Sequence, residues 1–197
     1  MIGLVGGVAS GKSMVARLLA EERPAFRIDA DAITHEVLDR PGVARRIAAR
    51  FPGTRRRGGG IDRRKLAARV FGGRSRRALD DLEAIMHPPI RETLKRAIAR
   101  SRSPLVLVEA ALLQENGADG LCDAVVYVAA PARVRRARAL SRHGWTEREH
   151  RAREAGQWPL RRKRARADIV VDNGGPVERT RRSVRAALRR IDRLRKG

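Results

Sequence analysis

The chain is predicted to be a doubly wound α/β protein, a parallel sheet with helices on both faces, and three observations predict it. Five short, mainly apolar runs at residues 2–5, 26–28, 105–108, 124–129 and 169–171 are each followed by turn chemistry, as buried parallel strands are. Helical patterns alternate with those runs, which is the order of successive βαβ units. A long stretch between the second and third runs carries helical spacing and no good strand, so an inserted helical lobe is expected there.

Taken in order, Ile2 to Val5 makes the first strand and Met14-Val15-Ala16-Arg17-Leu18-Leu19 starts the first helix. Between them lies Gly6-Gly7-Val8-Ala9-Ser10-Gly11-Lys12-Ser13, the pattern G-x-x-x-x-G-K-S/T of a phosphate-binding loop, in the strand-loop-helix setting that its mechanics require. Gly6 and Gly11 permit turns that a side chain would obstruct, so successive amides and a helix N-terminus converge on a polyphosphate. Lys12 is expected at the β and γ phosphates, and the Ser13 hydroxyl in the shell of Mg²⁺.

The second strand, Phe26 to Ile28, runs into Asp29-Ala30-Asp31. From about residue 33 to 100, the segments Val43 to Phe51, Arg64 to Phe71 and Arg76 to Arg100 place Ile, Leu, Val and Ala at helical spacings. His87-Pro88-Pro89 is expected to end or kink the last of these helices. Thr54 to Gly60 and Gly72 to Arg74 read as mobile loops. The third strand, Leu105 to Val108, ends in Glu109, and the fourth, Ala124 to Ala129, leads into an Arg-rich segment. The fifth, Ile169 to Val171, precedes Asp172-Asn173-Gly174-Gly175. Val177 to Arg195 has Val184, Leu188, Ile191 and Leu194 on one face, which predicts a closing surface helix whose arginines are a solvated face.

With 197 residues the chain suffices for one substantial core with a small inserted lobe. One domain is expected over residues 1–197, with the sheet core at about 1–32, 101–130 and 167–197, the helical insertion at about 33–100 and a lid at about 131–166. The lone Cys122 excludes an intramolecular disulfide framework, and no apolar run approaches the roughly 20 residues needed to span a bilayer. A cytoplasmic protein, monomeric or a small homo-oligomer, is expected. The net charge is +23, carried by arginines beside only Lys12, Lys65, Lys95, Lys163 and Lys196, which predicts attraction to polyanions, either phosphorylated small molecules or RNA. At 3% aromatic residues, stacking platforms for single-stranded RNA are largely absent.

Carboxylates at the carboxyl ends of strands border the ligand crevice of an open α/β sheet, so Asp31 is a candidate general base for an acceptor hydroxyl. A helix-capping role is the competing reading for Asp29. Glu109 resembles the acidic end of a Walker B strand, which holds Mg²⁺ directly or through water. Arg135, Arg136, Arg138 and Arg142 follow the fourth strand, with Arg138 and Arg142 one helical turn apart. Arginines on a closing lid suit the charge that phosphoryl transfer spreads over equatorial oxygens.

Together these motifs resemble the dephospho-CoA kinase family, nearly end to end. The match is carried by residues 2–7 leading into Ser10-Gly11-Lys12-Ser13, then Ile28-Asp29-Ala30-Asp31, Ile85-Met86-His87-Pro88, Leu112-Leu113-Gln114-Glu115, Arg138, Arg142, Gln157, and Ala167 to Asn173. The resemblance implies the P-loop kinase fold and transfer of the ATP γ-phosphate to the ribose 3′-hydroxyl of dephospho-CoA, with ADP and CoA as products and Mg²⁺ required. It implies that Asp31 accepts the hydroxyl proton, that Lys12, Arg138 and Arg142 steady the phosphoryl group, and that Ala9, Ser10, Gly11, Lys12, Ser13 and Met14 hold the nucleotide. Asp31, His87, Leu112 and Leu113 fall where the acceptor is gripped, and Ser13 with Glu109 where the metal is held. Ala9 replaces a usual Gly and Met14 a usual Ser or Thr, so weaker ATP binding is expected. Glu109 replaces an Asp, Ala111 a Pro and His143 an Asp, which bears on efficiency and metal geometry. The alternatives are another small-molecule or nucleoside kinase of this class, or a basic nucleotide-dependent RNA-binding protein, for which Arg161-Arg162-Lys163-Arg164 and the charge speak.

Overall fold

The computed structural model describes residues 1–71, 76–115 and 117–194. Among them, β1 (Ile2–Gly6), β2 (Phe26–Asp29), β3 (Val106–Glu109), β4 (Ala124–Ala129) and β5 (Ile169–Asp172) form one parallel sheet in the order β2-β3-β1-β4-β5. All five predicted strands are present, each within a residue of its expected bounds. β1 lies at the centre, buried at every residue, because both of its faces are covered. β2 is an edge strand and tolerates Arg27 and an exposed Phe26.

Register fixes what meets at the carboxyl edge. Asp29 pairs with Glu109, Leu4 with Glu109, and Gly6 with Val128. The ends of β1, β2 and β3 therefore lie side by side.

One face of the sheet is covered by α1 (Lys12–Glu22) and α9 (Val177–Leu194). Val15, Ala16, Leu18 and Leu19 of α1 and Val184, Ala187, Leu188 and Ile191 of α9 pack with Leu4, Leu107, Val126 and Val171 into one apolar cluster. Burying side chains of this size contributes about 1.5–3 kcal/mol each. Leu194, expected on that apolar face, is instead 49% exposed. The arginines of α9 also depart from the expectation of a purely solvated face. Arg181 bonds Glu21 at 2.9 Å, Arg185 bonds Glu22 at 2.8 Å, and Arg23 grips Asp192 with two bonds of 2.8 Å, so charge stitches α9 to α1.

After β4 come α6 (Ala132–His143), α7 (Glu147–Ala155) and α8 (Leu160–Ala165), the segment predicted as a lid. Thr146 caps α7 with a reciprocal capping box to Glu149. Cys122 follows a 3₁₀ turn at Ala118–Leu121, and burial pushes its thiol up to about 12.

The chain divides into two compact units, Met1–Asp29 with Ser101–Gly197, and Ala30–Arg100. The second is helical: α2 (Ala30–Asp39), α3 (Pro41–Arg50), α4 (Arg63–Phe71) and α5 (Arg76–Ala99). It begins at Ala30 rather than near 33, because α2 starts directly at the end of β2. Helix α5 runs through Pro88 and Pro89, so His87-Pro88-Pro89 does not end it. Ile85, Met86, Ile90 and Leu94 are buried on both sides of the prolines, and that packing offsets the two lost backbone bonds. The loop Thr54 to Gly60, read as mobile, is tied down. Thr54 is buried and bonds the Phe51 carbonyl at 2.7 Å, the Asp62 amide bonds the Thr54 carbonyl at 2.7 Å, and Asp39 accepts from Ile61. Gly72 to Arg74 lies outside the described residues, as does Arg195. No helix among the described residues is long and apolar enough to cross a membrane.

Candidate active site

The loop between β1 and α1 turns tightly. The Ser10 amide bonds the Gly7 carbonyl at 3.1 Å, and the Val15 amide bonds the Gly11 carbonyl at 3.1 Å. Gly11, immediately before α1, has φ 88° and ψ 37°, a left-handed conformation that disfavours any side chain. A Cβ there would also lie 2.2 Å from Asn173 Nδ2, so space and conformation both demand glycine. No carboxylate stands in the first turn of α1 and no side chain caps it, so its first amides and its dipole present positive potential.

Ala9 has φ 56°, alone among described non-glycine residues in taking a positive φ. The loop keeps its shape at a cost of roughly 1–2 kcal/mol where glycine would fit freely. Met14 packs partly against the apolar cluster, so a position that could offer a hydroxyl supplies packing instead. Lys12 is half-buried and Ser13 exposed in the first turn of α1, with Ser10 buried beneath them.

The four candidate arginines of α6 separate by role. Arg135 is buried, donating to the Ala130 carbonyl at 2.8 Å and to Glu154 at 2.7 Å, and Arg136 pairs with Glu147. Arg138 reaches the phosphate loop, donating through Nη1 to the Ser10 carbonyl at 3.2 Å and through Nη2 to the Asn173 carbonyl at 2.9 Å. Burial, and secondarily Arg142, lower its proton affinity, yet a guanidinium keeps its charge at neutral pH. Arg142, one turn further along α6, is exposed.

Of the acids, Asp29 ends β2 and Asp31 is exposed in the first turn of α2. Glu109 ends β3, nearly buried, and its Oε1 accepts from Arg27 Nη2 at 2.6 Å and Nε at 3.1 Å. Among the described residues no group of three or more His, Cys, Asp or Glu is poised to hold a metal ion. A P-loop Mg²⁺ does not need one, since substrate phosphates, waters and one protein hydroxyl make up most of its shell. The exposed Ser13 hydroxyl fits that role, while Glu109, with Oε1 engaged by Arg27, has one carboxylate oxygen to offer.

Leu113 is buried beside Cys122, both against Gly3, and Leu112 is half-exposed. His87 is half-buried in α5. The side chain of His143 lies outside what is described.

Sequence reasoning missed two groups. Asn173 and Thr180, both buried, underlie the phosphate loop, with Asn173 Nδ2 2.7 Å from the Ser10 carbonyl. Lys163, fully buried, pairs with Glu115 at 2.7 Å and Gln157 at 3.0 Å and so fixes α8 to the loop after β3. An asparagine just beyond a strand's carboxyl end was the available signal for the first. The second was hidden inside the run Arg161-Arg162-Lys163-Arg164, which reads as surface charge. Nearby, a cavity of about 360 Å³ is bordered by Val8, Arg135, Glu154, Trp158 and Leu160, and Arg162 stacks 3.3 Å from the Trp158 ring centroid.

Residues 1–178 match the family model described as dephospho-CoA kinase. A dephospho-CoA kinase of Geobacillus kaustophilus is 41% identical, the match covering 99% of this chain and 98% of that one. A dephospho-CoA kinase of Deinococcus radiodurans is 41% identical over 97% of this chain and 92% of its own. A solved chain from Thermus thermophilus superposes with TM-score 0.81 at 36% identity, covering 96% of both chains.

Proposed function

The chain belongs to the dephospho-CoA kinase family, and from that premise we propose how its residues divide the work of transferring the ATP γ-phosphate to the ribose 3′-hydroxyl of dephospho-CoA. The reaction is the last step of coenzyme A synthesis, with CoA and ADP as products. The observation that supports the division most is the loop from Gly6 to Ser13, shaped by left-handed Gly11 into the uncapped N-terminus of α1.

The amides of Ala9 to Met14 and the Lys12 ammonium bind the phosphates of ATP, for which backbone donors and a point charge are suited. Ser13 and Glu109 would hold Mg²⁺, which when bound neutralises charge on the phosphates. Asp31 accepts the proton of the 3′-hydroxyl as that oxygen bonds to the γ phosphorus. The bond from phosphorus to the β-γ bridging oxygen breaks, and ADP leaves. Chain position supports Asp31: it follows the end of β2 by two residues, in the first turn of α2.

Arg138 lends its charge to the transferring group while two of its five donors hold carbonyls of the loop. Arg142 adds charge when the segment bearing Arg138 to Arg153 closes as a lid, and closure excludes water that would otherwise compete with the sugar hydroxyl. His87, Leu112 and Leu113 are assigned to the acceptor, as the family resemblance implies. The polyanionic substrates give part of the +23 charge a use. A cytoplasmic location follows from this metabolic role. Reading the chain primarily as an RNA-binding protein is not favoured, since the family match spans residues 1–178.

The test is incubation of the protein with ATP, Mg²⁺ and a panel of dephospho-CoA, nucleosides and nucleoside monophosphates, followed by mass analysis. Phosphate should appear on dephospho-CoA at the 3′-hydroxyl. Phosphorylation confined to the other acceptors contradicts the reading.

A further inference from the structure

We propose that Asn173 is a positioning residue which sets the direction of the Ser10–Gly11 peptide, and that Thr180 fixes Asn173 for that task. The inference rests on the reading of residues 6–13 as the triphosphate site. Asn173 and Thr180 are 1% and 0% exposed, so their polar atoms must be satisfied inside the protein. The Ser10 carbonyl can only accept, and it lies 2.7 Å from Asn173 Nδ2. The other side of the amide, Oδ1, therefore faces Thr180, whose hydroxyl donates at 3.1 Å. Turning the amide over would set two acceptors against each other at the loop. Thr180 thus reads the amide's orientation, and the amide reads the peptide's.

The peptide needs such a hold. Gly11 sits at φ 88°, and glycine accepts either sign of φ, so nothing in Gly11 itself prevents the preceding peptide from flipping. The peptide is trans, which points the Gly11 amide N–H away from the direction of the Ser10 carbonyl. With that carbonyl held by Asn173 and by Arg138 Nη1, the N–H is turned to the opposite side of the peptide, where the loop would cradle phosphate. Two donors on one carbonyl also polarise the peptide and strengthen its N–H as a donor. The main-chain amide of Asn173 is itself anchored to the Ala129 carbonyl at 2.8 Å, and its carbonyl to Arg138 at 2.9 Å, so the clamp is tied to the sheet.

The experiment compares wild type with Thr180→Val, Thr180→Ser and Asn173→Asp. Readouts are KM for ATP, KM for dephospho-CoA, binding of inorganic tripolyphosphate, and thermal midpoint. Thr180→Val keeps the shape and removes the donor, so KM for ATP and the tripolyphosphate Kd should both rise about 3- to 10-fold, the value of one neutral hydrogen bond. KM for dephospho-CoA should stay within about twofold on the same grounds. Thr180→Ser restores the hydroxyl and should restore both phosphate affinities. Asn173→Asp, which sets a carboxylate against the Ser10 carbonyl, should weaken both more than Thr180→Val does. If Thr180→Val matches Thr180→Ser, or if both KM values rise together with a fallen midpoint, the residues merely support the fold and the proposal is overturned. Wild-type protein that binds neither ATP nor tripolyphosphate would overturn the reading of the loop itself.

Discussion

Arg27 and Glu109 form an ion pair across β2 and β3, with Nη2 2.6 Å from Oε1, at the strand end where a magnesium-holding carboxylate was expected. The pairing partly neutralises a carboxylate that would otherwise attract a cation. Arg27→Ala should therefore lower the Mg²⁺ concentration for half-maximal activity by about 2- to 5-fold, as expected for removing one screened charge a few ångströms away. Activity titrated against free Mg²⁺ measures this. A requirement that rises shows instead that Arg27 serves to aim Glu109.

Ala9→Gly should stabilise the protein. Relief of the left-handed strain at φ 56° exceeds the extra chain entropy of glycine, leaving a gain of about 0.5–1 kcal/mol. The thermal midpoint should rise by a few degrees, and KM for ATP should not increase. A lower midpoint means that the Ala9 methyl packs more favourably than its backbone is strained.

Lys163 and Glu115 illustrate a buried pair, with side chains 0% and 6% exposed. Lys163→Met alone should cost about 3–5 kcal/mol because it strands a buried carboxylate. Adding Glu115→Gln should recover much of that loss, and denaturant unfolding of the two single variants and the double variant measures the coupling. Additive losses would show that the charges do not act as a pair.

The helical unit should respond to acid through Asp39. The Ile61 amide, and then Arg56 and Arg63, hold its carboxyl below the usual 3.8. A depressed folded value means that the stabilisation is full above 3.8 and is lost as pH falls through the lower, folded value. A carboxyl-carbon NMR titration should place the Asp39 midpoint below 3.8, and the stability difference between wild type and Asp39→Asn should shrink in acid. A midpoint at or above 3.8 contradicts this.

Much of the fold was legible because short apolar runs ending in turns and the Gly6 to Ser13 spacing are local signals. The failures came where tertiary packing decided. His87-Pro88-Pro89 reads as a helix end or a kink, and buried Ile85, Met86, Ile90 and Leu94 exclude the end by carrying α5 through it. Thr54 to Gly60 looked loose, since nothing local reveals that Asp39 reaches Ile61 or that Thr54 is buried. Arginines of α9 looked solvated because their partners Glu21 and Glu22 lie about 160 positions away in sequence. At the site, spacing marked Arg138 and Arg142 as equals, and only the folded chain distinguishes the one bonded to Ser10 from the one exposed to solvent. Asn173 was visible as a motif residue, but its task at the Ser10 carbonyl depends on bringing two distant loops together.

The most direct test of the proposed chemistry is the single-turnover rate of phosphoryl transfer from ATP to dephospho-CoA by the Asp31→Asn variant, measured beside its ATP affinity. The expected result is ATP binding within a few-fold of wild type with transfer slowed by about 10²- to 10⁴-fold, the loss from removing a general base. Transfer at the wild-type rate would show that Asp31 does not take the proton.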